Sequence, residues 1–164
     1  MKNILLIGMP GAGKSTVGVL VAKALSMNFC DTDLEIQQTI GETLQENIDK
    51  NGIEAFLETE ASVCSKLSLK NCVIATGGSV VLSKEAINHL KTGATTVFLD
   101  LPLQCVKDRV KDIKTRGIAM QKGDTLDTVY AIRQPLYKTY ADITVRTEDL
   151  TLEETVEKIV NLIK

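Results

Sequence analysis

The sequence predicts an α/β fold in which helices cover both faces of a parallel sheet. Three observations carry that prediction. Short apolar runs recur at Ile4-Leu5-Leu6-Ile7, Cys72-Val73-Ile74-Ala75 and Thr96-Val97-Phe98-Leu99, with a weaker run at Ile143-Thr144-Val145. The stretches between them carry helical patterning, so strand and helix alternate along the chain. A glycine-rich loop, Gly8-Met9-Pro10-Gly11-Ala12-Gly13-Lys14-Ser15, joins the first apolar run to the first helical stretch.

Taken in order, residues 2 to 7 read as a buried strand, and Lys14 to about Leu25 as a helix with Val17, Val21 and Leu25 at helical spacing. A second strand is expected near Asn28 to Cys30. The segment from about 34 to 70 is polar to amphipathic and is expected to hold several helices. Insertions at the carboxyl edge of an open sheet wall the crevice where ligands bind, so this segment is assigned as an acceptor-binding subregion. After the third and fourth strands, Lys111 to Asp124 is rich in Lys, Arg and Gly and has no apolar period. It reads as a lid, with a plain solvated loop as the open alternative. Thr125 to Tyr137 is expected to be helical, and Leu152 to Ile163 an amphipathic closing helix.

The 164 residues fit one compact domain, 1–164. A hydrophobic content of 44% and a charged content of 24% are those of a chain that can form a core, which excludes a disordered polymer. The formal charge of −2 argues against nucleic acid as a partner. Cys30, Cys64, Cys72 and Cys105 lie far apart with no CxxC pair, so neither a zinc ribbon nor a redox motif is suggested, and reduced, mostly buried thiols are expected. The apolar start is too short to cross a membrane and shows no signal-peptide pattern, so the expected location is the cytoplasm. A monomer is expected, because a small enzyme that closes a lid over its substrates needs no partner for its chemistry.

The pattern GxxxxGK[ST] needs its glycines because backbone N–H groups wrap phosphate oxygens in a geometry that Cβ atoms obstruct. Gly8, Gly11 and Gly13 supply that freedom, with Ala12 between them. Lys14 reaches the β- and γ-phosphates of ATP, Ser15 ligates Mg²⁺, Thr16 is the candidate for the α-phosphate, and the helix N-terminus adds partial positive charge.

After the second strand, Phe29-Cys30-Asp31-Thr32-Asp33 places two carboxylates one residue apart at the carboxyl edge. In an extended segment alternate residues divide their tasks, with Asp31 facing the metal through water and Asp33 facing the acceptor as base or hydroxyl anchor. The competing reading is that one aspartate caps the next helix. Thr76-Gly77-Gly78-Ser79, directly after the third strand, is either a plain turn or a place where backbone approaches a ligand.

Arginine is used sparingly, at 109, 116, 133 and 146. Its planar fork binds phosphates and carboxylates bidentately. Arg116 in the expected lid is a candidate stabiliser of the transferring phosphate, and Arg133 a candidate clamp for an anionic substrate group. Arg146 and the single histidine, His89, read as ordinary surface or boundary residues.

Together these residues resemble the shikimate kinase family, small P-loop kinases of the nucleoside-monophosphate-kinase type, over essentially the whole chain. Gly8 to Thr16 is similar to the family's phosphate loop and Asp31-Thr32-Asp33 to its paired aspartates, while Arg109 matches the arginine that packs against adenine. Arg116 matches the lid arginine, and Arg133 with Pro135-Leu136-Tyr137 the arginine that holds the shikimate carboxylate. The resemblance implies a three-layer α-β-α fold with a five-stranded parallel sheet in the order 2-3-1-4-5. It also implies transfer of the ATP γ-phosphate to the 3-hydroxyl of shikimate, on the route to chorismate and the aromatic amino acids. Lys14, Asp33 and Arg116 would be the catalytic groups, and Asp33, Gly77, Gly78 and Arg133 the acceptor site.

Three positions depart from the family pattern. Leu57 stands where the family has an arginine, Ser79 replaces the third glycine of a Gly-Gly-Gly run, and Gly117 follows the lid arginine in place of proline. A charged hydrogen-bonding group contributes about 1.5–3 kcal/mol, so Leu57 implies acceptor binding weaker by roughly 10- to 150-fold. Lys50 is the candidate to compensate. The departures keep open a kinase of another small hydroxylated metabolite, and, from a different class, a nucleotide-binding regulatory module without catalysis.

Overall fold

The computed structural model describes residues 2–111 and 118–164. Its strands are β1 (Asn3–Ile7), β2 (Asn28–Asp31), β3 (Cys72–Ala75), β4 (Ala94–Asp100) and β5 (Ile143–Arg146). They form one five-stranded sheet in the order β2-β3-β1-β4-β5, every neighbouring pair parallel. The helices are α1 (Lys14–Leu25), α2 (Thr32–Ile40), α3 (Leu44–Asn51), α4 (Ile53–Lys66), α5 (Lys84–Lys91), α6 (Leu103–Lys111), α7 (Leu126–Tyr140) and α8 (Leu152–Ile163), with a 3₁₀ turn at Val80–Leu82. None of the described helices is long and apolar enough to cross a membrane.

Strand β1 shows why the sheet is buried on both faces. Leu5 and Ile7 pack with Cys64, Ile87, Val106 and Tyr137, which belong to α4, α5, α6 and α7. Ile4 and Leu6 face the opposite layer, where Val17 and Val21 of α1 and Ile159 of α8 meet them. Removing each such side chain from water contributes on the order of 1.5–3 kcal/mol, so a central strand is apolar at nearly every position. The exception is Asn3, whose side chain donates to the Leu69 carbonyl at 2.7 Å and accepts from the Cys72 N–H at 3.0 Å. It thereby ties the start of β1 to the start of β3.

Several boundaries differ from expectation. β2 continues to Asp31, and α2 starts at Thr32, so no extended segment spans the two aspartates. Helix α7 runs to Tyr140 rather than Tyr137, with Thr125 as its N-cap and Pro135 inside it. Lys111, where the expected lid segment starts, is also the last residue of α6. Residues 112–117, including Arg116 and Gly117, lie outside the described residues, and beyond them Ala119 is buried against Phe56, Leu44 and Ile36. Cys30, Cys64 and Cys72 are buried and Cys105 is half-buried, all as free thiols.

The strand order sends chain to either side of β1, so the loops after β1, β2 and β3 open into one crevice at the carboxyl edge. At the turn after β1, Gly8 has a φ of +151° that disfavours side chains, and its Cβ position lies 2.8 Å from the Leu99 carbonyl oxygen. Replacing Gly8 with Ala is expected to lower unfolding free energy by about 1–3 kcal/mol, through backbone strain and displacement of β4. Urea denaturation should show a lower midpoint with an unchanged slope.

Candidate active site

The phosphate loop occupies residues 8–13, between β1 and α1. Gly11 and Gly13 adopt φ of +79° and +89°, the left-handed region that glycine enters without strain, and Gly13 is the N-cap of α1. The first turn of α1 holds no acidic residue, whereas those of α2, α3, α7 and α8 do. The positive end of the α1 dipole is thus left for an external anion. Lys14 is buried, and its Nζ donates to the carbonyl oxygens of Gly8 and Met9, each at 2.8 Å, which holds the ammonium inside the loop. Ala12 is buried, Thr16 is exposed on the first turn, and Arg109 of α6 lies over the loop with its Nη1 donating to the Gly11 carbonyl at 3.2 Å.

Ser15 donates from Oγ to Asp31 Oδ2 at 2.6 Å, which joins the phosphate loop to the end of β2. The other oxygen, Oδ1, accepts from the Asp33 N–H at 2.9 Å and caps α2. Asp31 therefore caps α2, as the competing reading of the sequence has it, while its other oxygen faces Ser15 of the phosphate loop. The two aspartates sit on either side of a strand-to-helix junction, not along one extended segment.

The paired glycines are dictated by close approach. A Cβ on Gly77 would lie 2.7 Å from Asp33 Oδ1 and 3.0 Å from Glu60 Oε2, and one on Gly78 would lie 2.8 Å from Pro10 Cδ of the phosphate loop. Backbone here presses against both halves of the crevice. The plain-turn reading does not account for these contacts.

One cleft is lined by Lys14, Ser15, Asp33, Gly77, Gly78 and Arg133, with Leu44, Phe56, Ile118 and Ala119 as its apolar wall. Arg133 is only 3% exposed, and its Nη2 donates to the Ala119 carbonyl. The Tyr137 hydroxyl, one helical turn further along α7, donates to the Gly78 carbonyl at 2.6 Å. Six of the expected site positions thus meet in this cleft, and Asp31 and Arg109 flank it through Ser15 and Gly11.

Two groups in the cleft escaped the sequence reading as a pair. Glu60 of α4 is 2% exposed, and its Oε1 accepts from Ser79 Oγ at 2.6 Å. Burial pushes the Glu60 carboxyl up to about 7; the Ser79 hydrogen bond opposes the rise, the neighbouring Asp33 charge adds to it, and the Arg133 guanidinium opposes it. A signal for Glu60 exists in the sequence. Phe56, Glu60 and Cys64 fall at i, i+4 and i+8 on α4 and are its buried stripe, so a carboxylate interrupts an otherwise apolar face. The thiols are poor nucleophiles here, since burial raises Cys30 to about 12 and raises Cys64 and Cys72 as well.

Other expectations resolve more simply. Leu57 is half-buried and packs against the cluster of Ile36, Leu44, Phe56 and Ala119. Lys50 does not compensate for it, because its side chain is 70% exposed and pairs with Glu42 at 3.7 Å. Arg146 is 82% exposed and His89 is exposed, as anticipated for surface residues.

Known proteins resemble this chain over nearly its whole length. The profile of the shikimate kinase family matches residues 10–164. The chain is 37% identical to a shikimate kinase of Caldicellulosiruptor bescii, covering 99% of this chain and 95% of that protein. It is 36% identical to one of Pasteurella multocida over the same shares. Among solved structures, shikimate kinase from Acinetobacter baumannii in complex with shikimate superposes with a TM-score of 0.91 at 32% identity, covering 99% of this chain and 93% of that one.

The raised Glu60 carboxyl makes stability depend on pH. Between its ordinary 4.5 and about 7 the native state holds a proton that the unfolded chain has released. Glu60 therefore stabilises fully below 4.5, and that contribution, roughly 3 kcal/mol, is lost as pH rises through 7. Thermal unfolding of Glu60→Gln against the parent chain should show the two curves diverging from pH 5 to pH 8, the parent losing stability relative to the variant.

Proposed function

We propose, from the premise that this chain belongs to the shikimate kinase family, that it transfers the γ-phosphate of ATP to the 3-hydroxyl of shikimate. The observation that carries this reading is the meeting of Lys14, Asp33 and Arg133 in one cleft, where an ammonium, a carboxylate and a buried guanidinium converge. Relatives named for shikimate kinase activity favour this acceptor over another small hydroxylated metabolite.

In this reading, the backbone N–H groups of Gly11, Ala12 and Gly13 cradle the phosphates with Lys14 and Ser15, and Thr16 meets the α-phosphate. Arg109, already over the loop, packs against adenine. Asp33 holds the acceptor hydroxyl and accepts its proton as that oxygen bonds to the γ-phosphorus and the bond to the β,γ-bridging oxygen breaks, and Lys14 neutralises the charge that develops on the transferring phosphate and the departing ADP. Gly77 and Gly78 offer close backbone contact to the acceptor, and Arg133 holds its carboxylate. Arg116 enters the mechanism from the sequence alone, as the charge stabiliser of a lid at about 111–124, facing an acceptor subregion at about 34–70.

Ser15 and Asp31 are the residues that would hold Mg²⁺. A hydroxyl and a carboxylate oxygen 2.6 Å apart form a hard-oxygen pair beside the phosphate cradle. Mg²⁺ keeps several of its waters and takes phosphate oxygens, so two protein oxygens would be enough to hold it. When bound, Mg²⁺ supplies charge neutralisation to the β- and γ-phosphates. A monomer acting in the cytoplasm, where ATP is available, completes the reading.

Coupled measurement of ADP release with ATP, Mg²⁺ and millimolar shikimate tests the assignment, and no shikimate-dependent turnover by folded protein would refute it. Asp33→Asn is expected to lower kcat by about 10²- to 10⁴-fold, with the KM for ATP little changed. Leu57→Arg should return a second guanidinium to the acceptor side and lower the KM for shikimate by roughly tenfold or more. An unchanged KM would mean that position 57 does not reach the acceptor carboxylate.

A further inference from the structure

Between the two aspartates stands Thr32, the first residue of α2 and fully shielded from solvent. Other helical threonines bond within their own helix: Thr39, Thr59, Thr139 and Thr155 each donate to the carbonyl four residues earlier. At the first position of a helix there is no preceding turn to receive such a bond. The Thr32 hydroxyl reaches across the crevice instead, where its Oγ1 accepts from the Gly77 N–H at 3.2 Å, 45 residues away in the turn after β3. The Cys64 thiol of α4 shares the same hydroxyl. Burial is the main influence on that thiol and raises it, while the hydrogen bond with Thr32 pulls the other way. One hydroxyl therefore joins the start of α2, the turn after β3 and α4.

Gly77 is also the residue against which Asp33 rests. Its Cβ position lies 2.7 Å from Asp33 Oδ1, so the carboxylate sits directly on the backbone of the turn. The Asp33 N–H is held from the other side by Asp31 Oδ1 at 2.9 Å. We propose that Thr32 is a positioning residue for phosphoryl transfer: its hydroxyl holds Gly77 against Asp33 and so keeps the Asp33 carboxylate aimed at the acceptor hydroxyl. The inference rests on the acceptor reading, in which Asp33 receives the proton of the 3-hydroxyl. Without Oγ1 the Gly77 N–H loses its partner, and a turn that moves to regain one changes the spacing between Gly77 and Asp33. A displacement of about 1 Å that originates away from the chemistry costs on the order of 10²-fold in rate. The phosphate loop is held by separate bonds, Ser15 to Asp31 and Lys14 to the Gly8 and Met9 carbonyls, so ATP binding survives the change.

Steady-state kinetics of the full-length chain with ATP, Mg²⁺ and shikimate test this on three variants. Thr32→Val keeps the shape and loses the hydroxyl, Thr32→Ser keeps the hydroxyl, and Cys64→Ala removes the thiol while leaving the bond to Gly77. Thr32→Val is expected to lower kcat by about 10- to 100-fold with the KM for ATP within about twofold of the parent. Thr32→Ser should restore kcat to within about threefold of the parent, and Cys64→Ala should lose thermal stability yet stay within the same roughly threefold range. Thr32→Ala carries the same expectation as Thr32→Val and takes its place if the valine variant does not fold. Where the parent phosphorylates shikimate, the inference is overturned by a hydroxyl-free variant that keeps its kcat, or by Thr32→Ser falling as far as Thr32→Val. It is equally overturned if Cys64→Ala loses as much kcat at an equal loss of thermal stability, because destabilisation alone then accounts for the effect. A parent chain without shikimate-dependent turnover overturns the acceptor reading, and this inference with it.

Discussion

The pressure of Pro10 on Gly78 is the contact on which the site depends. The phosphate loop and the turn after β3 approach so closely that position 78 has no room for a Cβ, 2.8 Å from the proline ring. Gly78 is fixed from the other side as well, since its carbonyl accepts from the buried Tyr137 hydroxyl at 2.6 Å. The turn thereby sets the distance between the loop on β1 and helix α7, and so between Lys14 and Arg133. Gly77 performs the same service one residue earlier, where Asp33 of α2 and Glu60 of α4 crowd against it. Four elements are brought to one point by the absence of two side chains.

Around that point the protein accepts arrangements that a core would not. Glu60, Arg133 and Lys14 are nearly excluded from solvent, and burying charge is costly unless partners offset it. Among the described residues the partners include Ser79 for Glu60, the Ala119 carbonyl and Tyr137 for Arg133, and the loop carbonyls for Lys14. A ligand that brings stronger partners can compete for these groups. A phosphate offers Lys14 more than two carbonyl oxygens do, and an acceptor carboxylate offers Arg133 a charge in place of a dipole.

Legibility from sequence followed the range of the interactions involved. The phosphate loop was readable because its requirements are local: glycines for left-handed backbone, a lysine and a serine at fixed offsets, an apolar strand before and a helix after. Asp31 and Asp33 were readable as a pair, but the helical start of α2 at Thr32, between them, was not, because it depends on how α2 packs in the fold. Arg133 was readable as a candidate anion clamp from the chemistry of its planar fork, but its burial follows from the fold of α7 over the Gly78 turn. The link between Glu60 and Ser79 spans 19 residues and two elements, so no local pattern announces it, although the broken apolar stripe on α4 marks Glu60 as unusual.

What the sequence by itself determined is the chemistry available: a phosphate cradle, a carboxylate pair at a strand end, scarce arginines, and the alternation that commits the chain to a parallel sheet between helical layers. These follow from backbone geometry and periodicity over a few residues. Only the tertiary structure decided which of those groups share a cleft, which glycines are forced by contact, and that a glutamate on α4 is buried between an aspartate and an arginine. The physical reason is that proximity across elements sets burial and charge coupling, and both the proton affinity of Glu60 and the reach of Arg133 are properties of that neighbourhood rather than of either residue.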